Sequence, residues 1–129
     1  MFVILFDLLL VRLALLLTFM TIAFFAINVI AAPLGGNVTS GTAVISTQNT
    51  TTNITQETES LIIDWNSFNL DSDEVVNFDQ PSSSSIVLNN ILQNDASSIN
   101  GTINSNGKVI LINPRGLIFG GDAHINTAD

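Results

Sequence analysis

The sequence predicts an all-β fold, a right-handed single-stranded parallel β-helix of a few coils, preceded by an α-helical export signal. Three short runs with apolar content, residues 99–103, 109–112 and 117–119, are too short for helices and follow one another at regular spacing. Turn signals separate them. Asn106-Gly107 supplies residues that tolerate positive φ. Asn113-Pro114-Arg115-Gly116 fits a type I turn in which the Asn113 side chain can bond the backbone that follows it.

Each run carries too few apolar side chains to fold alone, so successive coils must stack to bury what one coil cannot. A chain of 129 residues allows one domain and only a few coils. The last coil is therefore expected to expose an unpaired strand edge and an uncovered end of the core.

Residues 1–32 predict an export signal. Residues 13–27 are almost wholly apolar, and Ala31 and Ala32 supply small residues before Pro33, which indicates signal-peptide cleavage near Ala32. Residues 13–32 also have the length of a membrane span, roughly 20 residues, so an uncleaved anchor is the alternative. We assign residues 1–32 to the signal peptide or anchor and residues 33–129 to one partial β-helix domain.

The middle of the chain predicts strands and a core. Residues 37–46 alternate in part, as a strand does, whereas the Thr/Asn run at 49–55 fits either a linker or a strand. Within residues 61–70, Trp65 and Phe68 could meet across a bend, and a lone Trp in an apolar run packs in a core more often than it stacks on a sugar. Strands at 75–78 and 86–89 follow, with a polar turn at 80–85 between them. The predicted core side chains are Trp65, Phe68, Phe78 and Phe119.

Composition excludes several function classes. Three basic residues against eleven acidic ones leave a net charge of −8, so no basic patch exists for nucleic acid or anionic lipid. The absence of cysteine excludes disulfides and thiol chemistry. The single histidine, His124, has no partner set for a zinc site or a triad, and no phosphate loop is present. We predict no enzyme, cofactor, metal or small-molecule substrate.

The acidic loop Asp71-Ser72-Asp73-Glu74 allows two interpretations. Carboxylates suit calcium, but the spacing matches no recognised calcium loop. We therefore expect a solvated turn.

Many ordered positions resemble one family, the amino-terminal secretion domain of filamentous-haemagglutinin-like exoproteins, also called the two-partner secretion (TPS) or haemagglutination activity domain. The resemblance runs from about Gly35 to the end of the chain. Arg115 and Asn90 depart from the family pattern, which has Asn and Arg there. The matching positions are Gly35, Gly36, Val38, Ser40, Gly41, Ala43, Ile63, Asp64, Trp65, Ser67, Phe68, Val76, Phe78, Gln80, Pro81, Leu88, Asn89, Ile91, Ser97, Ile99, Gly101, Asn106, Gly107, Val109, Leu111, Ile112, Asn113, Pro114, Gly116, Phe119 and Gly120.

The resemblance implies a secretion-signal module of an adhesin-like exoprotein. Such a chain uses the general export machinery and signal peptidase, and an outer-membrane transporter with periplasmic POTRA domains then recognises it, with strand addition as a reasonable mode. It passes through the periplasm to the surface or extracellular space of a Gram-negative-type bacterium. The expected recognition or nucleation residues are the turn-formers Asn106, Gly107, Asn113, Pro114 and Gly116.

Two other interpretations stay open from the sequence. Family domains continue past this length, so the chain reads as the front of a longer protein or as a truncated gene product without function. If residues 1–32 stay attached, the chain could instead be a membrane-anchored adhesive fragment at the surface.

Overall fold

The computed structural model describes residues 31–128, which form eleven β-strands and no helix. Most of the predicted leader, residues 1–30, lies outside the described residues, and within residues 31–128 no helix is long and apolar enough to cross a membrane. The strands are β1 Asn37–Ser40, β2 Ala43–Gln48, β3 Thr51–Gln56, β4 Ser60–Trp65, β5 Val75–Asp79, β6 Ile86–Ile91, β7 Ser97–Ile99, β8 Thr102–Ser105, β9 Lys108–Ile112, β10 Leu117–Phe119 and β11 His124–Asn126.

The chain winds into about three coils that stack through parallel strands. The first coil is residues 51–70, the second 75–99 and the third 102–119, and β11 continues the stack. Each coil visits the same sheets in the same order. Parallel pairing joins β3-β5-β8-β11 in one sheet, β4-β6-β9 in a second and β7-β10 in a third. The predicted parallel β-helix is confirmed.

Antiparallel strands cap the amino-terminal end of the stack. β1 pairs with β4, and β2 pairs with β3 as a hairpin in which Asn49 has a φ of 53°. Asn is one of the few residues that adopts this left-handed conformation at low cost. The Thr/Asn run at 49–55 is therefore the turn and second strand of a hairpin.

Trp65 and Phe68 lie in the core at this capped end. Their rings are 5.6 Å apart at an interplanar angle of 82°, an edge-to-face pair across the predicted bend. The indole Nε1 donates to the Oδ1 of Asn89 at 2.9 Å, which gives the buried N–H a partner. Trp65, Phe68 and Phe78 are all buried.

Phe119 is 52% exposed, and its predicted core position is wrong. It stacks above Ile99, which stacks above Leu70, and both of those side chains are fully buried. Phe119 belongs to the same inward ladder, but no described residue stacks above it. The side chain keeps its inward position while one side of the ring stays in solvent.

The apolar run at 99–103 does not form one strand. It divides between β7 and β8, which belong to different sheets, and the corner between them lies at Asn100-Gly101. A Cβ at Gly101 would clash with the carbonyl oxygens of Glu74 and Asp71 in the coil below. Glycine at this corner lets two coils approach closely.

Candidate recognition surface

The predicted turn residues form two corners of the third coil, on either side of β9. Asn106-Gly107 joins β8 to β9, and Asn113-Pro114-Arg115-Gly116 joins β9 to β10. We call residues 106–116, the two corners with β9 between them, the motif strip. The fold therefore brings the five predicted turn residues to the two ends of one strand, where Asn106, Pro114 and Gly116 are exposed, Asn113 is half-buried and Gly107 is buried.

The first corner is bonded to the coil below it. The side-chain amide of Asn106 donates to the Gln80 carbonyl and accepts from the Gln80 backbone N–H, both at 2.7 Å. Such a two-way bond satisfies a donor and an acceptor of the neighbouring coil with one side chain. Asn106 thus holds the third coil in register on the second.

Gly107 is required for a different reason from the one expected. Neither Asn106 nor Gly107 has a positive φ. A Cβ at Gly107 would instead lie 2.7 Å from Gln80 Oε1 and 2.8 Å from the Ser85 carbonyl oxygen. Close approach between coils, rather than backbone conformation, selects glycine here.

The second corner is the predicted four-residue turn. The Gly116 N–H donates to the Asn113 carbonyl at 3.0 Å, and the Arg115 N–H donates to Asn113 Oδ1 at 2.9 Å. Gly116 has a φ of 109°, a conformation that favours glycine. Asn113 also donates to the Asp95 carbonyl at 3.1 Å and to Ser97 Oγ at 3.0 Å in the coil below. The Asn113 side chain thus joins turn and coil, and residues 114–116 remain exposed.

The outer side of β9 is apolar and accessible. Ile110 and Ile112 point away from the core, and Ile112 is 45% exposed. In the register of the sheet Ile110 lies beside Leu88, and Leu88 lies beside Ile62. This aliphatic row extends the surface of the motif strip across all three coils.

A ladder of asparagines, which sequence reasoning missed, lies on the outer face of the other large sheet, where Asn53 and Asn126 are exposed and Asn77 and Asn104 are half-buried. Each side-chain amide donates to the Oδ1 of the Asn one coil below, at 2.9 Å in all three bonds. The sequence pattern that could have predicted this ladder is an Asn at the same strand position in each successive coil. The ladder consists of Asn53, Asn77, Asn104 and Asn126.

One side chain of the acidic loop at residues 71–74, that of Glu74, is buried. Asp71 and Asp73 are exposed, as expected of a solvated turn, but Glu74 is buried, and its Oε1 accepts from the Asp71 N–H at 2.8 Å. Within residues 31–128, no three His, Asp or Glu side chains are placed to hold a metal ion. Glu74 therefore stabilises its own turn by accepting a backbone hydrogen bond.

Comparisons with known proteins point to one family. A family model described as the TPS secretion domain matches residues 30–129. A heme/hemopexin-binding protein of Haemophilus influenzae is 40% identical over 96 residues, which is 74% of this chain and 11% of that protein. A second heme/hemopexin-binding protein of Haemophilus influenzae is 39% identical over 75 residues, 58% of this chain and 8% of that protein. The chain thus spans about a tenth of the curated relatives it matches.

A solved structure shares the architecture. The crystal structure of the HMW1 secretion domain from Haemophilus influenzae superposes with a TM-score of 0.70 at 40% sequence identity. The match covers 74% of this chain and 26% of that one. At this identity the likeness covers sequence as well as backbone shape.

Proposed function

The chain belongs to the TPS secretion domain family, and we propose that it is recognised through its motif strip by an outer-membrane transporter with periplasmic POTRA domains. The family is a non-enzymatic secretion module of exoproteins that Gram-negative bacteria release across the outer membrane to the surface or extracellular space. A TPS domain implies a cognate outer-membrane transporter. The chain serves as the secretion signal of such a two-partner system.

The proposed route begins at the inner membrane. The general export machinery carries the chain across, signal peptidase removes the leader near Ala32, and the transporter then binds the motif strip in the periplasm. The chain has no cysteine, so no disulfide can close a loop before it crosses the outer membrane. Stacking of the coils that follow the motif strip in the exoprotein, outside the cell, buries apolar side chains and thereby opposes return, without a nucleotide and without catalysis.

The observation that carries the proposal is that the turn at residues 114–116 and the outer side of β9 form an exposed surface on the third coil. Residues 114–116 and the outer side chains of β9 are accessible, whereas the Asn106 and Asn113 amides are engaged with the coil below. This supports a division of roles. The two asparagines nucleate and register the coil, and the exposed turn with Ile110 and Ile112 contacts the transporter.

A binding measurement with matched variants tests this division. The exported chain is titrated against the purified periplasmic domains of its cognate transporter. Ile112→Lys places a charge on the motif strip, and Val44→Lys places the same charge on a similarly exposed aliphatic side chain at the capped end, where Val44 is 58% exposed. We expect Ile112→Lys to weaken binding about tenfold or more and Val44→Lys to leave it within about twofold.

Two outcomes contradict the proposal. The first is an absence of wild-type binding at micromolar concentration, which removes the transporter as a partner. The second is an equal loss for the two variants, which removes the motif strip as the contact. Secretion of the same variants from cells that carry the transporter provides an independent readout, because a recognition defect lowers extracellular yield while the fold, checked by circular dichroism, is unchanged.

A further inference from the structure

The outer side of the motif strip carries a cation at each end and aliphatic side chains between them. Along β9, Lys108, Ile110 and Ile112 are the exposed residues, and the turn that follows exposes Arg115. At about 3.3 Å per strand residue, Lys108 and Ile112 are roughly 13 Å apart, and Arg115 lies beyond Ile112. The two cations are therefore separate points on either side of an apolar centre.

The charge of the domain is divided by coil. Lys108 and Arg115 are the lysine and the arginine of residues 31–128, and the third coil that holds them, residues 102–119, has no carboxylate. Residues 51–99, which contain the first two coils, have eight carboxylates and no lysine or arginine. The eight are Glu57, Glu59, Asp64, Asp71, Asp73, Glu74, Asp79 and Asp95.

Two of these carboxylates lie in the coils below the motif strip. In the register of the sheet Ile112 lies beside Asn90, and the Asn90 amide donates to Asp64 Oδ1 at 3.1 Å. The Gln93 amide donates to Asp95 Oδ1 at 3.2 Å. An acidic partner is repelled by these lower coils and attracted only at the third coil, so charge fixes the side from which it approaches.

We infer that the motif strip binds a surface of the transporter's periplasmic domains on which carboxylates flank an apolar centre, and that Arg115 determines the specificity of this contact. The inference rests on the proposed function and adds the chemistry of the partner surface. Ile110 and Ile112 form the centre from which water is excluded, and the two cations pair with carboxylates at its rim. Arg115 distinguishes this chain, because the family pattern has an uncharged Asn at that position.

The first test removes one positive charge at the motif strip and compares this with an equal change elsewhere. Arg115→Asn and Gln48→Glu each make the net charge more negative by one, and Gln48 is an exposed residue at the capped end. In titrations against the cognate transporter's periplasmic domains at about 0.1 M salt, we expect Arg115→Asn to weaken binding about three- to tenfold and Gln48→Glu less than about twofold. The Arg115→Asn loss should nearly vanish at about 1 M salt, where charges are screened beyond about 3 Å.

Three results overturn the inference. Equal losses for Arg115→Asn and Gln48→Glu would mean that only net charge matters, and an Arg115→Asn loss that salt does not reduce would mean that charge is not the cause. Wild-type affinity in Arg115→Asn, together with the loss expected for Ile112→Lys, removes the inference and leaves the proposed function standing. An absence of wild-type binding contradicts the proposed function and this inference with it.

The second test searches for the partner carboxylate by charge exchange. Arg115→Glu places a negative charge at the turn, and each exposed Asp or Glu of the transporter's periplasmic domains is replaced in turn by Lys. We expect one of these replacements to restore binding to Arg115→Glu about tenfold while it weakens binding of the wild type. If none restores binding, the inference is wrong. Lys108→Gln applies the salt comparison to the other cation and keeps the question answerable if the Arg115 variants do not fold.

Vesicles that contain phosphatidylglycerol provide the alternative acidic surface. We expect no binding of the wild-type chain to them at the concentrations that saturate the transporter domains. Vesicle binding that Arg115→Asn abolishes, with unchanged affinity of the same variant for the transporter domains, assigns the motif strip to a membrane and overturns the inference.

Discussion

The two ends of this β-helix differ in how far they bury side chains of the same kind. One end is capped by β1 and β2, and the other, the open end, is formed by β9, β10 and β11. At the capped end Phe68 is fully buried and its ring packs edge to face against Trp65, whereas Phe119 at the open end is half in solvent. Both belong to inward-facing segments of their coils. The difference teaches that burial in a solenoid depends on the next coil along the axis, and that inward orientation alone does not provide it.

The cap covers the end of the core with strands that run antiparallel to the coil strands beneath them. β1 and β2 lie antiparallel on β4 and β3, and Val38, Ala43 and Ile45 pack against the core from these strands. Antiparallel strands end the repeating register and so stop further parallel coils from joining at that side. Within the described residues, the open end has no antiparallel capping strands. Three pairs of substitutions compare the two ends, and the pair with the largest expected effect comes first.

Phenylalanine truncation should separate the two ends most strongly. Phe68→Ala removes a fully buried ring, so we expect a loss of about 3–5 kcal/mol in the free energy of unfolding. Phe119→Ala removes a half-exposed ring, and we expect a loss of about 1 kcal/mol. Denaturant unfolding of both variants, followed by tryptophan fluorescence, measures the difference. Equal losses would mean that Phe119 is covered in solution.

Glycine substitution provides a second comparison. A Cβ at Gly36 would lie 2.6 Å from Cζ3 of the buried Trp65, so Gly36→Ala must displace the indole, and we expect a loss of about 1–3 kcal/mol. Gly121 has no atom within 4 Å of such a Cβ, and Gly121→Ala should leave stability within about 1 kcal/mol of the wild type. Thermal unfolding of the two variants decides. A tolerated Gly36→Ala would contradict tight packing at the cap.

The asparagine ladder gives the smallest contrast. Asn77 donates to Asn53 and accepts from Asn104, whereas Asn126 at the open end makes only its bond to Asn104 within the ladder. We expect Asn77→Ala to cost about 1–2 kcal/mol and Asn126→Ala about 0.5 kcal/mol, because two ladder bonds are lost in one case and one in the other. Amide hydrogen exchange of β5 and β11 reports each effect locally. Indistinguishable values would assign the ladder no role in stability.

Much of the fold follows from local pattern. Brief aliphatic runs between Asn, Gly and Pro corners predict strands separated by turns, and β9, β10 and the turn at 113–116 lie where the pattern puts them. The inward positions of Trp65, Phe68 and Phe78 follow from size and alternation. The corner residues were found by their turn chemistry, but their bonds to the coil below were not, because those partners lie in a distant part of the sequence.

The family, the parallel coils and the position of the motif strip were determined by the sequence, since residue types at short spacing specify strands, corners and their repetition. Only the tertiary structure decided that Phe119 is half exposed, that Gly107 is required by close approach rather than by φ, that the stack is capped by antiparallel strands, and that four asparagines form a ladder. The physical reason is the same in each case. Every one of these features depends on contact with a neighbouring coil or strand, and local periodicity does not specify which residues that neighbour supplies.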